Sequence, residues 1–374
     1  MKRIILLLMC VTLFLAGCMA RFKDEDEQNN DPTGKKVSLP GYQISNEYYY
    51  SVLPFEASAA RGLVVGNIYS RTDLDEFEMG LMRLSQEAFP TNQYFFQEGQ
   101  FLTTEIIKSW LARKYTDKQL AEYKMEPEDN LGLNPIGDDK PRYLAHILEQ
   151  KYFVKEENKM KLGGISIGLA LNSVHWKSEN EVVPIDQKKV LEEGKKIAQE
   201  VLKRLRAMDG LADVPITIAL YEQNALGKLI PGNFIAITNV DSGSAKIAGW
   251  ETLNEKYYLF PSTEVSGVSY AQADLERYNQ LKDEVEEFFP NFTGIVGKGF
   301  YVNDELQNFN MTIPVQFYGK TEVVSFTQFV AGKVIEIFPK NMNIEVSIKS
   351  GSTPEALIIR RVNEEEPMVY IYQQ

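Results

Sequence analysis

The residue types able to do chemistry are few in this chain of 374 residues: two cysteines, two histidines and one serine set between glycines. Cys18 carries the clearest pattern. It follows Leu15-Ala16-Gly17, which closes an apolar run from Ile4 to Leu15 behind the basic pair Lys2-Arg3. A charged start, a short apolar stretch and small residues before a cleavage point make an export signal, and a cysteine directly after the small pair makes it a lipobox. Cleavage between Gly17 and Cys18 by lipoprotein processing enzymes would leave Cys18, with a diacylglyceryl group on its thiol, as the N-terminus. The apolar run of about 12 residues is too short to cross a bilayer, which takes ~20. The expectation is therefore a protein tethered to the extracytoplasmic face of the cell membrane. Its acyl chains, palmitate among them, would each contribute roughly 0.8 kcal/mol per buried methylene. Cys10 leaves with the signal, so the processed chain would hold no disulfide and no thiolate metal site.

Gly164-Ile165-Ser166-Ile167-Gly168 spells the G-x-S-x-G nucleophile elbow of serine hydrolases. An elbow needs a strand that turns sharply into a helix, whereas the alternation of Ile165, Ile167, Leu169 and Leu171 continues as strand. The triad would also need a histidine late in the chain, but His146 precedes the serine and His175 follows it closely. Ser166 is thus expected to be structural. Two isolated histidines make none of the common zinc sets, and no P-loop, dinucleotide fingerprint or S-x-x-K motif is present. The reading is non-enzymatic, with no catalytic residue, no metal and no cofactor. His146 is assigned to the surface or boundary of a helix. Tyr42 and Tyr48-Tyr49-Tyr50 could stack on a peptide or glycan, but a Tyr-rich strand packing one face inward needs no ligand and is the better reading. Pro231-Gly232-Asn233-Phe234 reads as a hairpin turn into a strand.

The elements that would position these residues follow from periodicity. Residues 18–41 are polar, acidic and rich in turn formers, and read as a flexible stalk after the signal peptide of residues 1–17. An N-terminal α+β domain is expected over 42–160. In it Thr72-Asp73 opens a helix to about Phe89, Ile106 to Leu111 form a second, and Thr116 caps a third. Pro141 opens a helix carrying Tyr143, Leu144, Ile147 and Leu148, and the charged stretch Lys155 to Lys161 reads as an interdomain link. In the C-terminal α+β domain, 161–374, a weak internal strand-helix-strand-strand repeat is legible. The first copy is a strand at Ile165 to Leu171, a helix from Asp186, and strands at Val214 to Tyr221 and Phe234 to Val240. The second is Thr312 to Phe317, a helix from Glu322 to Phe338, then Ile344 to Ile348 and Ala356 to Arg361. Pro314 suggests an edge strand, and a further helix spans Ala271 to Phe289 between the copies. The fold class is α+β, helices packed on mostly antiparallel sheets. A formal charge of -12 argues against nucleic acid as a partner.

The lipobox, Gly132-Leu133-Asn134-Pro135, His146-Ile147-Leu148-Glu149-Gln150, the stretch from Gly163 to Val174 and Pro231-Gly232-Asn233-Phe234 together resemble the CamS family of sex pheromone precursor lipoproteins. The resemblance implies a surface lipoprotein of low-GC Gram-positive bacteria. It further implies that the tail of the signal peptide is trimmed to a short apolar peptide sensed by plasmid-bearing enterococcal donor cells. Here that segment is Val11, Thr12, Leu13, Phe14, Leu15, Ala16 and Gly17. The family brings no catalytic residues. The other function weighed is an envelope lipoprotein whose body recognises peptide or glycan.

Overall fold

The computed structural model describes residues 29–373 apart from 31–33, 35, 64–67, 69, 158, 179–180 and 290–291. The signal peptide, Cys18 and the first part of the stalk lie outside the described residues.

Chain order begins with β1 (Asn29–Asn30), β2 (Lys36–Val37), β3 (Tyr50–Ser51), α1 (Arg71–Ser85), β4 (Phe95–Glu98), α2 (Thr104–Leu111) and α3 (Asp117–Tyr123). It continues with β5 (Leu144–Glu156), β6 (Lys159–Asn172), a small hairpin of β7 (Val174–Ser178) and β8 (Glu181–Pro184), then α4 (Gln187–Arg206), β9 (Ile216–Gln223), β10 (Asn233–Val240) and β11 (Glu251–Thr252). The first sheet runs β11-β10-β9-β6-β5-β4-β3, with β1 and β2 added beside β6. The last third holds β12 (Glu255–Phe260), α5 (Thr263–Ser266), α6 (Gln272–Phe288), β13 (Val296–Val302), β14 (Glu305–Pro314), α7 (Lys320–Ile337), β15 (Asn343–Ser350), β16 (Thr353–Arg360) and β17 (Met368–Ile371). Its six strands form a second sheet in the order β12 to β17. The fold is α+β.

The repeat takes definite form in the strand pairing. In the first sheet β5 and β6 are antiparallel, β6 and β9 parallel, β9 and β10 antiparallel. In the second, β13–β14, β14–β15 and β15–β16 repeat that sequence of orientations. A parallel neighbour cannot be reached by a tight turn, so each unit needs a crossover; α4 serves the first and α7 the second. Each helix buries one apolar stripe. Val190, Ile197, Val201 and Leu205 of α4 share a core with Ile165, Ile167, Leu169 and Ile218, and Val323, Phe326, Val330 and Val334 of α7 share one with Phe309, Met311, Ile313 and Val346.

Several local expectations are corrected. The stretch from Leu144 is strand β5, not a helix. Both faces of β5 are covered, so neighbouring residues such as His146 and Ile147, or Glu149 and Gln150, are buried together and the strict alternation of a half-exposed strand is missing. His146 is accordingly 2% exposed within a sheet rather than on a helix surface. Lys155 to Lys161 closes the β5–β6 hairpin, with Glu156 paired to Lys159 and Glu157 at φ 52°, so no domain boundary falls at 160/161. The chain changes sheets instead between β11 and β12. The stalk ends before residue 41: Val37 is buried against Val52, Phe153 and Met160. Pro314 lies on an interior strand, but beyond the last β13–β14 pair, Val296 with Thr312, where its missing N–H breaks no ladder with β13. The cap of α1 is Ser70, whose hydroxyl accepts from the Asp73 N–H at 3.0 Å, and the helix ends at Ser85.

Candidate functional site

Residues 164, 166, 168 and 170 of β6 point to one face of the first sheet, and 165, 167, 169 and 171 to the other. The second set is large and receives α4. The first is Gly, Ser, Gly and Ala, and it receives α1 and the turn behind it. A Cβ on Gly168 would lie 2.7 Å from Phe77 Cε2, and one on Gly164 would lie 2.3 Å from Phe89 Cε1. Ser166 is fully buried, and its hydroxyl accepts from Ser85 Oγ at 2.7 Å. The G-x-S-x-G pattern is therefore a stripe of small side chains on which an aromatic helix docks, with no strand-to-helix turn at the serine. His146 pairs with Ala170, four residues or about 13 Å along β6 from Ser166, and His175 sits apart in the β7–β8 hairpin.

The other singled-out stretches resolve into internal ties. Asp73, 1% exposed, accepts from Tyr221 Oη at 2.7 Å, the Gly232 N–H at 2.7 Å and the Asn224 N–H at 3.1 Å. Gly232 stands there because a Cβ would come within 1.9 Å of the Glu222 carbonyl oxygen. Pro231 to Phe234 thus leads from the β9–β10 connection into β10, with α1 locked to it. Glu149 is likewise buried and accepts from the N–H groups of Gln100, Phe101 and Leu102 at 3.0, 2.9 and 2.8 Å. Burial pushes its carboxyl pKa up against the pull of those donors. Gln150 donates to the Glu78 carbonyl at 2.8 Å and accepts from Tyr152 Oη at 2.8 Å. Among the described residues, no group of three or more His, Cys, Asp or Glu side chains is placed to hold a metal ion.

Two surfaces test the idea of an aromatic-lined cleft. At the junction of the two sheets the space is filled. Arg83 of α1 grips Glu255 of β12 at 2.6 and 3.1 Å, reaches Glu76 at 3.1 Å and lies 4.9 Å over the Phe300 ring, while Tyr257 Oη donates to Glu76. Glu255 is 3% exposed, so its charge is answered by Arg83 rather than by water. A groove of 1490 Å³ opens elsewhere, beside the β5–β6 hairpin, lined among others by Phe101, Lys151, Phe153, Met160 and Leu162. Lys151 Nζ stands 5.4 and 5.0 Å from the Phe101 and Phe153 ring centres and 3.2 Å from Gln97 Oε1. Such a mixture of apolar walls and fixed polar groups suits an extended, amphipathic ligand. Sequence reading looked instead to the tyrosines, of which Tyr42 is exposed while Tyr49 is buried with its hydroxyl on the Phe89 carbonyl at 2.6 Å. Phe101 and Phe153 lie 52 residues apart, and only the pairing of β4 with β5 brings the segments that carry them together.

The family model described as CamS sex pheromone cAM373 precursor matches residues 55–366. The crystal structure of a sex pheromone precursor from Lactobacillus salivarius subsp. salivarius UCC118 is similar with a TM-score of 0.81 and 28% identity, covering 90% of this chain and 99% of that one. The C-terminal domain of the sex pheromone staph-cAM373 precursor from Staphylococcus aureus is similar with a TM-score of 0.70 and 33% identity, covering 82% of this chain and 99% of that one. Among curated proteins, none matches the chain.

Proposed function

Because the chain belongs to the CamS family of sex pheromone precursors, we propose that it is a membrane-anchored extracytoplasmic lipoprotein whose signal peptide is the source of a short apolar pheromone. The observation that carries this is positional. Val11 to Gly17 stands directly ahead of Cys18 in a lipobox, so the cleavage that leaves the acylated Cys18 as N-terminus also frees the peptide's C-terminus. The seven residues carry no charged side chain and can partition into membranes, whereas the folded body is acidic. No helix among the described residues is long and apolar enough to cross a membrane, which makes lipid on Cys18 the anchor in this reading. The body itself carries no chemistry and acts, in the second reading, through the groove beside Phe101 and Phe153, which suits an extended peptide or glycan.

Synthetic VTLFLAG added to donor cells should reproduce the response that a producing strain elicits. A strain with a foreign lipoprotein signal peptide in front of an intact body should elicit none. Donors that respond to the swapped strain, or that ignore the peptide at a dose where known pheromones act, would exclude the pheromone role and leave the body as the functional part.

A further inference from the structure

We propose that a cavity between the β7–β8 hairpin and the loop after α2 binds the phosphate group of a sugar phosphate. The cavity measures 310 Å³ and is lined by Arg113, Asp138, Arg142, Asn172, His175, Trp176 and their neighbours Val174 and Lys177. Arg113, Arg142 and Lys177 line it together with Asp138, and the Asp139 carboxylate also acts on Arg113, in a chain whose overall charge is -12. Asp138 Oδ1 lies 3.1 Å from Arg113 Nε, and Lys177 pairs with Glu181 at 3.2 Å. Arg142 makes no ion pair among the described residues; burial, and after it the charge of Arg142, hold the Arg113 guanidinium's pKa down against the pull of Asp138 and Asp139. Both guanidinium groups line the same cavity, and an anion there would add to the compensation that Asp138 already gives Arg113. Guanidinium forks match phosphate oxygens, which offer more acceptors than a carboxylate does.

The site is built rather than incidental. Arg113 is fixed through its terminal nitrogens, which donate to the Pro135 and Lys140 carbonyls at 3.1 and 2.7 Å. Asn134, fully buried, ties the segments before and after it by donating to the Leu111 and Leu144 carbonyls at 2.8 and 3.0 Å and accepting from the Leu144 N–H at 2.9 Å. Gly132 lets this loop close on Arg113, whose carbonyl oxygen would lie 2.5 Å from a Cβ at that position. On the other wall Asn172 donates to the Arg142 carbonyl at 2.8 Å and accepts from Gln223 at 2.6 Å. His175 is 8% exposed, and its Nε2 has no hydrogen-bond partner among the described residues. A buried imidazole nitrogen without a partner is costly, and a ligand oxygen at this wall would supply one. The volume corresponds to about ten waters, far more than a bare phosphate fills. Trp176, 42% exposed at the rim, offers an aromatic face for the pyranose that occupies the rest.

Calorimetric titration of the full chain in detergent with glucose 6-phosphate, inorganic phosphate, glucuronate and glucose tests this. Glucose 6-phosphate should bind, glucose should not, and added salt should weaken the binding. Arg142→Ala, at an exposed and unpaired side chain, should weaken it about tenfold or more, the worth of one charge-assisted contact. Trp176→Ala should weaken glucose 6-phosphate while leaving inorganic phosphate unchanged. Absence of binding at millimolar glucose 6-phosphate, or affinity unaffected by Arg142→Ala, would overturn the site. Glucuronate bound as tightly would overturn the choice of phosphate, and indifference to Trp176→Ala would overturn the sugar.

Discussion

At the scale of single residues, Ser166 lies fully buried within β6, and its hydroxyl accepts from Ser85 Oγ. Ser166 was legible as structural because apolar alternation continued past it. The reason glycines flank it was not legible, since Phe77 and Phe89 lie far away in sequence. His146 lies on β5 rather than on a helix, and because both faces of that strand are covered its buried positions do not alternate. Its position has a consequence for pH. Burial pushes the His146 pKa down to about 4, below the roughly 6.5 of an unfolded histidine. The unfolded chain therefore binds more protons between these values, so the stabilising effect of a neutral His146 is present above about pH 6.5 and is lost as pH falls through about 4. Each pH unit in that window costs up to about 1.4 kcal/mol, or roughly 3 kcal/mol in all. Urea unfolding of the wild type and of His146→Gln should diverge in slope across this range, with the variant flatter. Equal slopes would mean that His146 is accessible to protons in the folded state.

At the scale of elements, periodicity makes the repeat legible, but the strand expected at Thr312 to Phe317 runs instead over Glu305–Pro314. The strand-helix-strand-strand echo corresponds to β6-α4-β9-β10 and β14-α7-β15-β16, and the capping box at Thr116 and Gln119 is present. The sequence did not disclose that each unit begins with a further antiparallel strand, because β5 was read as helix and β13 passed unread. The docking of α1 onto β6 depends on the small-residue stripe, and this can be weighed. Val suits a strand better than Gly by up to about 1 kcal/mol, but a side chain at 168 would collide with Phe77 and Leu81, whose Cδ2 lies 3.2 Å from the Cβ position. Overpacking of this kind costs about 1–3 kcal/mol, so the clash should win. Gly168→Val is expected to lower the urea midpoint with little change in the slope of the transition. A variant as stable as the wild type would mean that α1 yields more easily than its contacts indicate.

At the scale of the whole molecule, two sheets built on the same pairing scheme meet across Arg83, Glu255 and Tyr257, and the chain passes between them at Leu253-Asn254. The sequence suggested a boundary near residue 160 because a hairpin turn and a linker are equally polar, and composition alone does not distinguish them. The groove and the cationic cavity were hidden for the same reason: each is assembled from segments that only strand pairing brings together. The proposed processing signal at Val11 to Cys18 lies outside the described residues and rests on the sequence pattern alone. The central claim, that this body is carried at the membrane by lipid on Cys18 after loss of Val11 to Gly17, has a direct measurement. Mass spectrometry of the N-terminal tryptic peptide, Cys18 to Arg21, from the membrane fraction should find a diacylglyceryl group on Cys18 in the wild type. Cys18→Ser should retain residues 1–17 and carry no lipid. An unmodified Cys18 still joined to Gly17 in the wild-type membrane fraction would contradict the account.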